Sequence, residues 1–134
     1  MDKKLRKKRV SKDNKTAYSL YDAEEMAGVI MDYAKPLFES AEDVETEIKV
    51  IKIAIFCWRL SFFSKDAQEE VITTFFKKNN IIGEGKEEMK SVFKFFLDRK
   101  SRYFSKVKTD IEDYQLREKG DGFELNLILK SQNS

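Results

Sequence analysis

The first fifteen residues carry the side chains with the clearest chemical use in this chain. Residues 1–15 hold eight cations against two carboxylates, a net charge of +6. A dense group of ammonium and guanidinium groups attracts phosphates and releases counterions when it binds them. We therefore interpret residues 1–15, the basic arm, as a candidate nucleic-acid-binding segment. Its densest part consists of Lys3, Lys4, Arg6, Lys7, Lys8 and Arg9.

The composition of the basic arm does not choose among acidic partners. A cluster of this kind suits nucleic acid, nuclear import or anionic lipid about equally, and a solvated tail without a partner is a further alternative. No aromatic residue interleaves the cations, so the arm alone is not expected to stack on bases or to read a sequence. Its few apolar residues cannot offset the entropy of ordering the backbone, so we expect a flexible arm.

A second basic cluster lies at the end of the last predicted helix. Arg99, Lys100, Arg102 and Lys106 are its candidate nucleic-acid-binding residues. Cations in the last turn of a helix also complement the negative end of the helix dipole, and we favour this structural interpretation. Lys100 falls on the apolar stripe of that helix, where its alkyl stem can lie along the core.

The residue types argue against catalysis. The chain has no histidine and one cysteine, Cys57. The commonest general base and the commonest transition-metal ligand are therefore missing, and no internal disulfide can form. We expect no catalytic residue, metal, cofactor or small-molecule substrate. A cytoplasmic protein is predicted, or a nuclear one if the source is eukaryotic.

Capping residues and helical periodicity predict the first two helices. The first begins near Asp22, and Pro36 should kink or end it near Lys35. The second opens at a capping box formed by Ser40 and Asp43, runs to about Phe63 and is apolar enough to be the nearly buried central helix. It also contains three cations, each costing about 2.5–3.5 kcal/mol near a bilayer centre, so we predict no membrane span.

Two further helices and a hairpin follow. A third helix is predicted from about Asp66 to Lys78, with Asp66 and Glu69 as its capping pair, and a fourth from about Lys86 to Lys106. The period then changes to two, which predicts a β-hairpin over about residues 110–130. Its turn is placed at Asp121 and Gly122, or one residue earlier with the same faces.

Some apolar side chains are not buried by the predicted elements alone. Phe95 lies off the apolar stripe of the fourth helix, so it is either covered by the hairpin or part of a partner interface. A two-stranded hairpin is marginal alone, so its apolar face must lie on the helices or its open edge must pair with another strand. The Phe62–Phe63 doublet likewise needs a wide apolar face if both rings are to be buried.

These observations lead to one fold and two hypotheses. The fold is a mainly α (α+β) domain over residues 16–134, with four helices and a C-terminal β-hairpin, preceded by the flexible basic arm. We hypothesise a non-catalytic binding module whose arm contacts nucleic acid, or another acidic surface, without sequence specificity. The alternative is a homodimer or protein-interaction module that uses Phe95 and the hairpin edge, the arm being incidental.

Overall fold

A computed structural model describes residues 21–130, and the basic arm lies outside the described residues. Four helices and one antiparallel hairpin follow one another along this part of the chain. They are α1 (Ala23–Phe38), α2 (Val44–Leu60), α3 (Lys65–Lys78), α4 (Gly83–Tyr103), β1 (Ile111–Lys119) and β2 (Gly122–Leu129). The predicted α+β class, with four helices before a C-terminal hairpin, is confirmed.

Helix α1 starts as predicted and continues further than predicted. The Asp22 carboxylate accepts from the Glu25 backbone N–H at 2.8 Å, and the Glu25 carboxylate accepts from the Asp22 N–H at 3.1 Å, which completes a capping box. The helix does not end at Lys35, because it runs through Pro36 to Phe38. Proline leaves the carbonyl four residues earlier without its usual donor, and a side chain from α4 takes that place, as described below.

The N-cap residues predicted for α2 and α3 differ from those in the structure. Asp43 caps α2 alone by accepting from the Thr46 N–H at 2.8 Å, while the Ser40 hydroxyl donates back to the Leu37 carbonyl at 2.9 Å. Ser40 therefore finishes α1 instead of starting α2. Helix α3 is capped by Ser64, whose hydroxyl accepts from the Ala67 N–H at 3.2 Å, and not by Asp66.

Two helices also end earlier than predicted. Helix α2 stops at Leu60, so the Phe62–Phe63 doublet lies in the loop before α3. Helix α4 begins at Gly83 and stops at Tyr103, which is before the expected Lys106. Phe104 then leaves helical geometry and packs its ring 5.4 Å from that of Tyr33.

The core lies between α1, α2, α4 and the apolar face of the hairpin. Tyr33 is fully buried at its centre, where its hydroxyl donates to the Phe96 carbonyl at 2.7 Å. Its ring meets the Trp58 ring edge-on at 5.1 Å. The three cations within helix α2, Lys49, Lys52 and Arg59, are exposed to solvent. None of the helices within residues 21–130 is long and apolar enough to cross a membrane.

The hairpin adopts the second of the two predicted registers. Lys119 pairs with Gly122, which places Gly120 and Asp121 in the turn, one residue before the first choice. Gly120 has a φ of +64°, a conformation that glycine adopts without steric cost. Tyr114 and Leu116 still face the helices, and Phe123 packs its ring 5.9 Å from that of Phe38. The apolar face is thus covered by α1 and α2.

Candidate nucleic-acid interface

The predicted basic cluster at the end of α4 does not form one phosphate-binding surface. Arg99 is turned towards α1, and Lys100 is buried. Arg102 is exposed and paired with Asp98, its Nε lying 3.0 Å from Oδ2. Lys106 is exposed in the turn after the helix. Of the four candidates, Lys106 has the placement that best suits contact with an incoming phosphate.

Arg99 holds the C-terminal part of α1. Its Nη2 donates to the Asp32 carbonyl at 3.0 Å, and its Nε donates to the Tyr33 carbonyl at 2.9 Å. The Asp32 carbonyl is the one that Pro36 cannot reach, because proline has no N–H. The guanidinium also lies 5.4 Å from the centre of the Phe104 ring. This position supports the structural interpretation that the sequence favoured, although the carbonyls belong to α1 and not to α4 itself.

We expect Arg99→Ala to lower the free energy of unfolding by about 1.5–3 kcal/mol, since it removes charge-assisted donors from two helix carbonyls. The cost should be smaller in a Pro36→Ala background by about 0.5–1.5 kcal/mol, because residue 36 then supplies its own N–H to Asp32. Urea denaturation of the four proteins in this double-mutant cycle measures the coupling. An equal cost of Arg99→Ala in both backgrounds would show that the two residues are independent.

Lys100 is a buried lysine whose ammonium group packs against two aromatic rings. Its residue is 7% exposed, and its Nζ lies 4.7 Å from the Trp58 ring centre and 4.8 Å from that of Phe62. Burial, helped by the positive charge of Lys108 and opposed by Asp110, lowers the pKa of Lys100 to about 8. Rings beside an ammonium attract it through their quadrupoles. Lys100 therefore fixes Phe62 at the end of α4 and is poorly placed to meet a phosphate.

Two contacts connect the end of α2 and the loop after it with α4 and with the start of the hairpin. One is the packing of Lys100 against the rings of Trp58 and Phe62. The Trp58 Nε1–H donates to the Thr109 carbonyl at 2.9 Å, which holds the start of the hairpin against the end of α2. Phe62 and Phe63 remain 37% and 45% exposed in the loop after α2. We name this surface the basic–aromatic end. It consists of Arg59, Phe63 and Lys130, which line one cleft, of Phe62, and of the exposed Lys106 and Lys108 in the segment that leads from α4 to Thr109.

A cleft of about 290 Å³ opens within the basic–aromatic end. Its walls are formed by Arg59, Phe63, Asp110, Ile111, Glu112 and Lys130. The Asp110 carboxylate is already engaged, because it accepts from the Ile111 N–H at 2.7 Å and lies 3.7 Å from the Lys130 ammonium. Within residues 21–130, no carboxylate lies in ion-pair distance of the Arg59 guanidinium. That cation is available to a ligand.

Phe95 lies apart from these features. The hairpin packs against α1 and α2, so of the two alternatives for Phe95 the structure does not have the one in which the hairpin covers it. Phe95 remains 42% exposed, and its ring touches the neighbouring ring of Phe96 at a centroid distance of 5.4 Å. The partner-interface interpretation of this residue remains a prediction.

Sequence reasoning missed part of the basic–aromatic end. Arg59 and Lys130 stand 71 positions apart and were not recognised as members of any site. The Phe62–Phe63 doublet is visible in the sequence as an unusual pair, but nothing there places Phe62 beside Lys100 or Phe63 beside Lys130. The missing information is tertiary, since it depends on where Lys100 and Trp58 direct their side chains.

The groups with unusual pKa values among the described residues do not form a catalytic set. Burial raises the pKa of the Cys57 thiol to about 12, which disfavours the reactive thiolate. Burial also raises the pKa of Tyr33, whose hydroxyl is already committed to Phe96. Within residues 21–130, no three acidic or thiol side chains are grouped so as to hold a metal ion.

Comparisons of the chain with protein-family models, with curated proteins and with solved structures give no match. The geometry of the basic–aromatic end and the charge of the basic arm are therefore the features that bear on function.

Proposed function

We propose that this chain is a non-catalytic module that binds nucleic acid without sequence specificity, in the cytoplasm or the nucleus. The observation that carries the proposal is the exposure of Phe62 and Phe63 in one loop, with Phe63 beside Arg59 and Lys130 in the cleft. Cations supply affinity for the phosphate backbone, and exposed rings add stacking that every base can provide. The basic arm would add further phosphate contacts to the same ligand.

The charge distribution supports the binding of a polyanion at the basic–aromatic end. The chain carries +2 in total, but residues 16–134 carry 18 cations and 22 carboxylates, a net charge of −4. An acidic surface repels phosphates, so a polyanion would approach only where cations are concentrated. Among residues 21–130, the basic–aromatic end offers such a place next to exposed rings.

Reversing two charges at this end tests the proposal. We expect Lys106→Glu with Lys108→Glu to weaken binding to a labelled oligonucleotide by about tenfold or more at 100 mM salt, because two phosphate contacts are replaced by repulsion. Fluorescence anisotropy gives the affinity. The matched control is Lys77→Glu with Lys78→Glu, at the far end of the 14-residue helix α3.

The control pair carries the same charge change about 20 Å along the helix from Phe63. We expect its effect to be several-fold smaller. Equal losses in the two double variants would mean that only net charge matters, and no loss in either would contradict a role for the basic–aromatic end.

The alternative function, a protein-interaction or self-assembling module, is favoured by the exposure of Phe95 and of Ile128 on β2. Sedimentation at micromolar concentration separates the two hypotheses. Self-association that Phe95→Ser abolishes would support the alternative, whereas a monomer in both proteins would count against self-assembly.

A further inference from the structure

The cleft beside Phe63 indicates which form of nucleic acid the module would take. We infer that the cleft receives one unpaired nucleobase, so that the ligand is single-stranded nucleic acid and not a duplex. This inference rests on the proposed function and adds the ligand class to it.

The lining of the cleft suits a base better than a phosphate. Asp110 and Glu112 place carboxylates on its walls, which disfavour an anion inside it. The Phe63 ring offers an apolar wall, and 45% of this residue is accessible to a ligand. A neutral, planar and polar-edged group therefore fits the interior, while Arg59 can meet a phosphate beside it.

The size of the cleft agrees with a small occupant. Its volume of about 290 Å³ lies just below the range of about 300–1,000 Å³ that ligand pockets usually span. A single planar group fits such a space, whereas a base pair within a helix cannot leave its neighbours to enter it.

The position of Phe63 requires the base to be unpaired. In a duplex both faces of each base are covered by neighbouring bases, and only the edges are accessible in the grooves. A ring in a loop can therefore stack only on a base that is free of such neighbours, as in single strands. Lys106 and Lys108 are exposed in the segment that leads to Thr109 and Asp110, so they are candidates to meet the flanking phosphates.

The two adjacent phenylalanines should not contribute equally. The Phe62 ring already lies 4.8 Å from the Lys100 ammonium, so it is held in place by the protein. Phe63 lines the cleft, and within residues 21–130 its ring contacts no other aromatic ring and no cation in this way. We assign the stacking contact to Phe63.

The test compares one strand with its duplex. The full-length protein is titrated into fluorescein-labelled dT15 and into the same strand annealed to dA15, at one salt concentration. We expect the single strand to bind at least about tenfold more tightly, and Phe63→Ala to weaken single-strand binding by about 5- to 100-fold, the range of one lost stacking contact. Duplex binding should change little in that variant.

Two further variants control for folding and for general loss of aromatic surface. Phe63→Tyr keeps the ring and should keep the affinity for dT15. Phe95→Ala removes a ring of similar exposure that does not line the cleft and should leave binding unchanged. Circular dichroism at 222 nm checks that each variant remains folded.

The outcomes separate this inference from the function on which it rests. Equal binding of single strand and duplex, with Phe63→Ala neutral, would overturn the single-strand inference and leave the proposed nucleic-acid binding in place. Failure to bind either probe would overturn both.

Discussion

Replacing Trp58 with alanine is expected to lower the free energy of unfolding by about 3–5 kcal/mol, the usual cost of removing a large aromatic side chain from a core. The side chain is fully buried, meets the ring of Tyr33 and donates to the Thr109 carbonyl. Its loss would also remove one of the two rings beside the Lys100 ammonium. The basic–aromatic end should therefore loosen together with the core.

Urea denaturation followed by circular dichroism measures this effect without relying on tryptophan fluorescence. Trp58→Phe is the matched control, because it retains an aromatic ring and removes the N–H donor to Thr109. We expect it to cost about 1–3 kcal/mol, chiefly from the unpaired buried carbonyl. A loss below about 1 kcal/mol for Trp58→Ala would contradict the assigned place of this residue in the core.

Replacing the six cations between positions 3 and 9 with glutamine is expected to reduce the affinity for nucleic acid by about 100-fold or more at 100 mM salt. Glutamine keeps the length and polarity of the basic arm and removes its charge. The reason is electrostatic, since each cation that neutralises a phosphate releases a counterion. The residues replaced are Lys3, Lys4, Arg6, Lys7, Lys8 and Arg9.

The salt dependence of binding makes this prediction specific. If each of the six cations contacts one phosphate of a single strand, the slope of log K against log salt should become shallower by about 4. Lys49→Gln with Lys52→Gln, on the exposed stripe of α2, controls for a general loss of charge. An unchanged slope in the arm variant would mean that the basic arm does not touch the ligand.

Much of the fold could be predicted because its signals are local. The capping box of Asp22 and Glu25, the period of α4 and the alternation in the hairpin each depend on residues a few positions apart. Where two local signals compete, the prediction failed. Ser40 can cap α2 or finish α1, and the sequence does not show which carbonyl or N–H its hydroxyl will meet.

The sequence also leaves the position of the hairpin turn open by one residue. Both turn placements keep the same apolar face, so hydrophobic patterning cannot separate them. The structure has Gly120 at a positive φ, which places the turn one residue earlier than the Asp121–Gly122 choice. The side-chain pairs shift with it, and Leu116 faces Leu125 instead of Leu127.

The site was less predictable than the fold because long-range contacts define it. Three neighbouring cations of α4, Arg99, Lys100 and Arg102, look equivalent in the sequence. One binds the carbonyls of α1, one is buried against aromatic rings, and one pairs with Asp98. Their roles depend on Pro36 in α1 and on Trp58 in α2, which lie far away along the chain.

The affinity of the intact protein for a single-stranded oligonucleotide, measured from 50 to 200 mM salt, tests the central claim most directly. Nucleic-acid binding through the basic arm and the basic–aromatic end predicts saturable binding at 50 mM salt that weakens steeply towards 200 mM, by about 300-fold if six phosphates of the single strand are contacted. The absence of binding at 50 mM salt, or an affinity that does not change with salt, would contradict the proposed function.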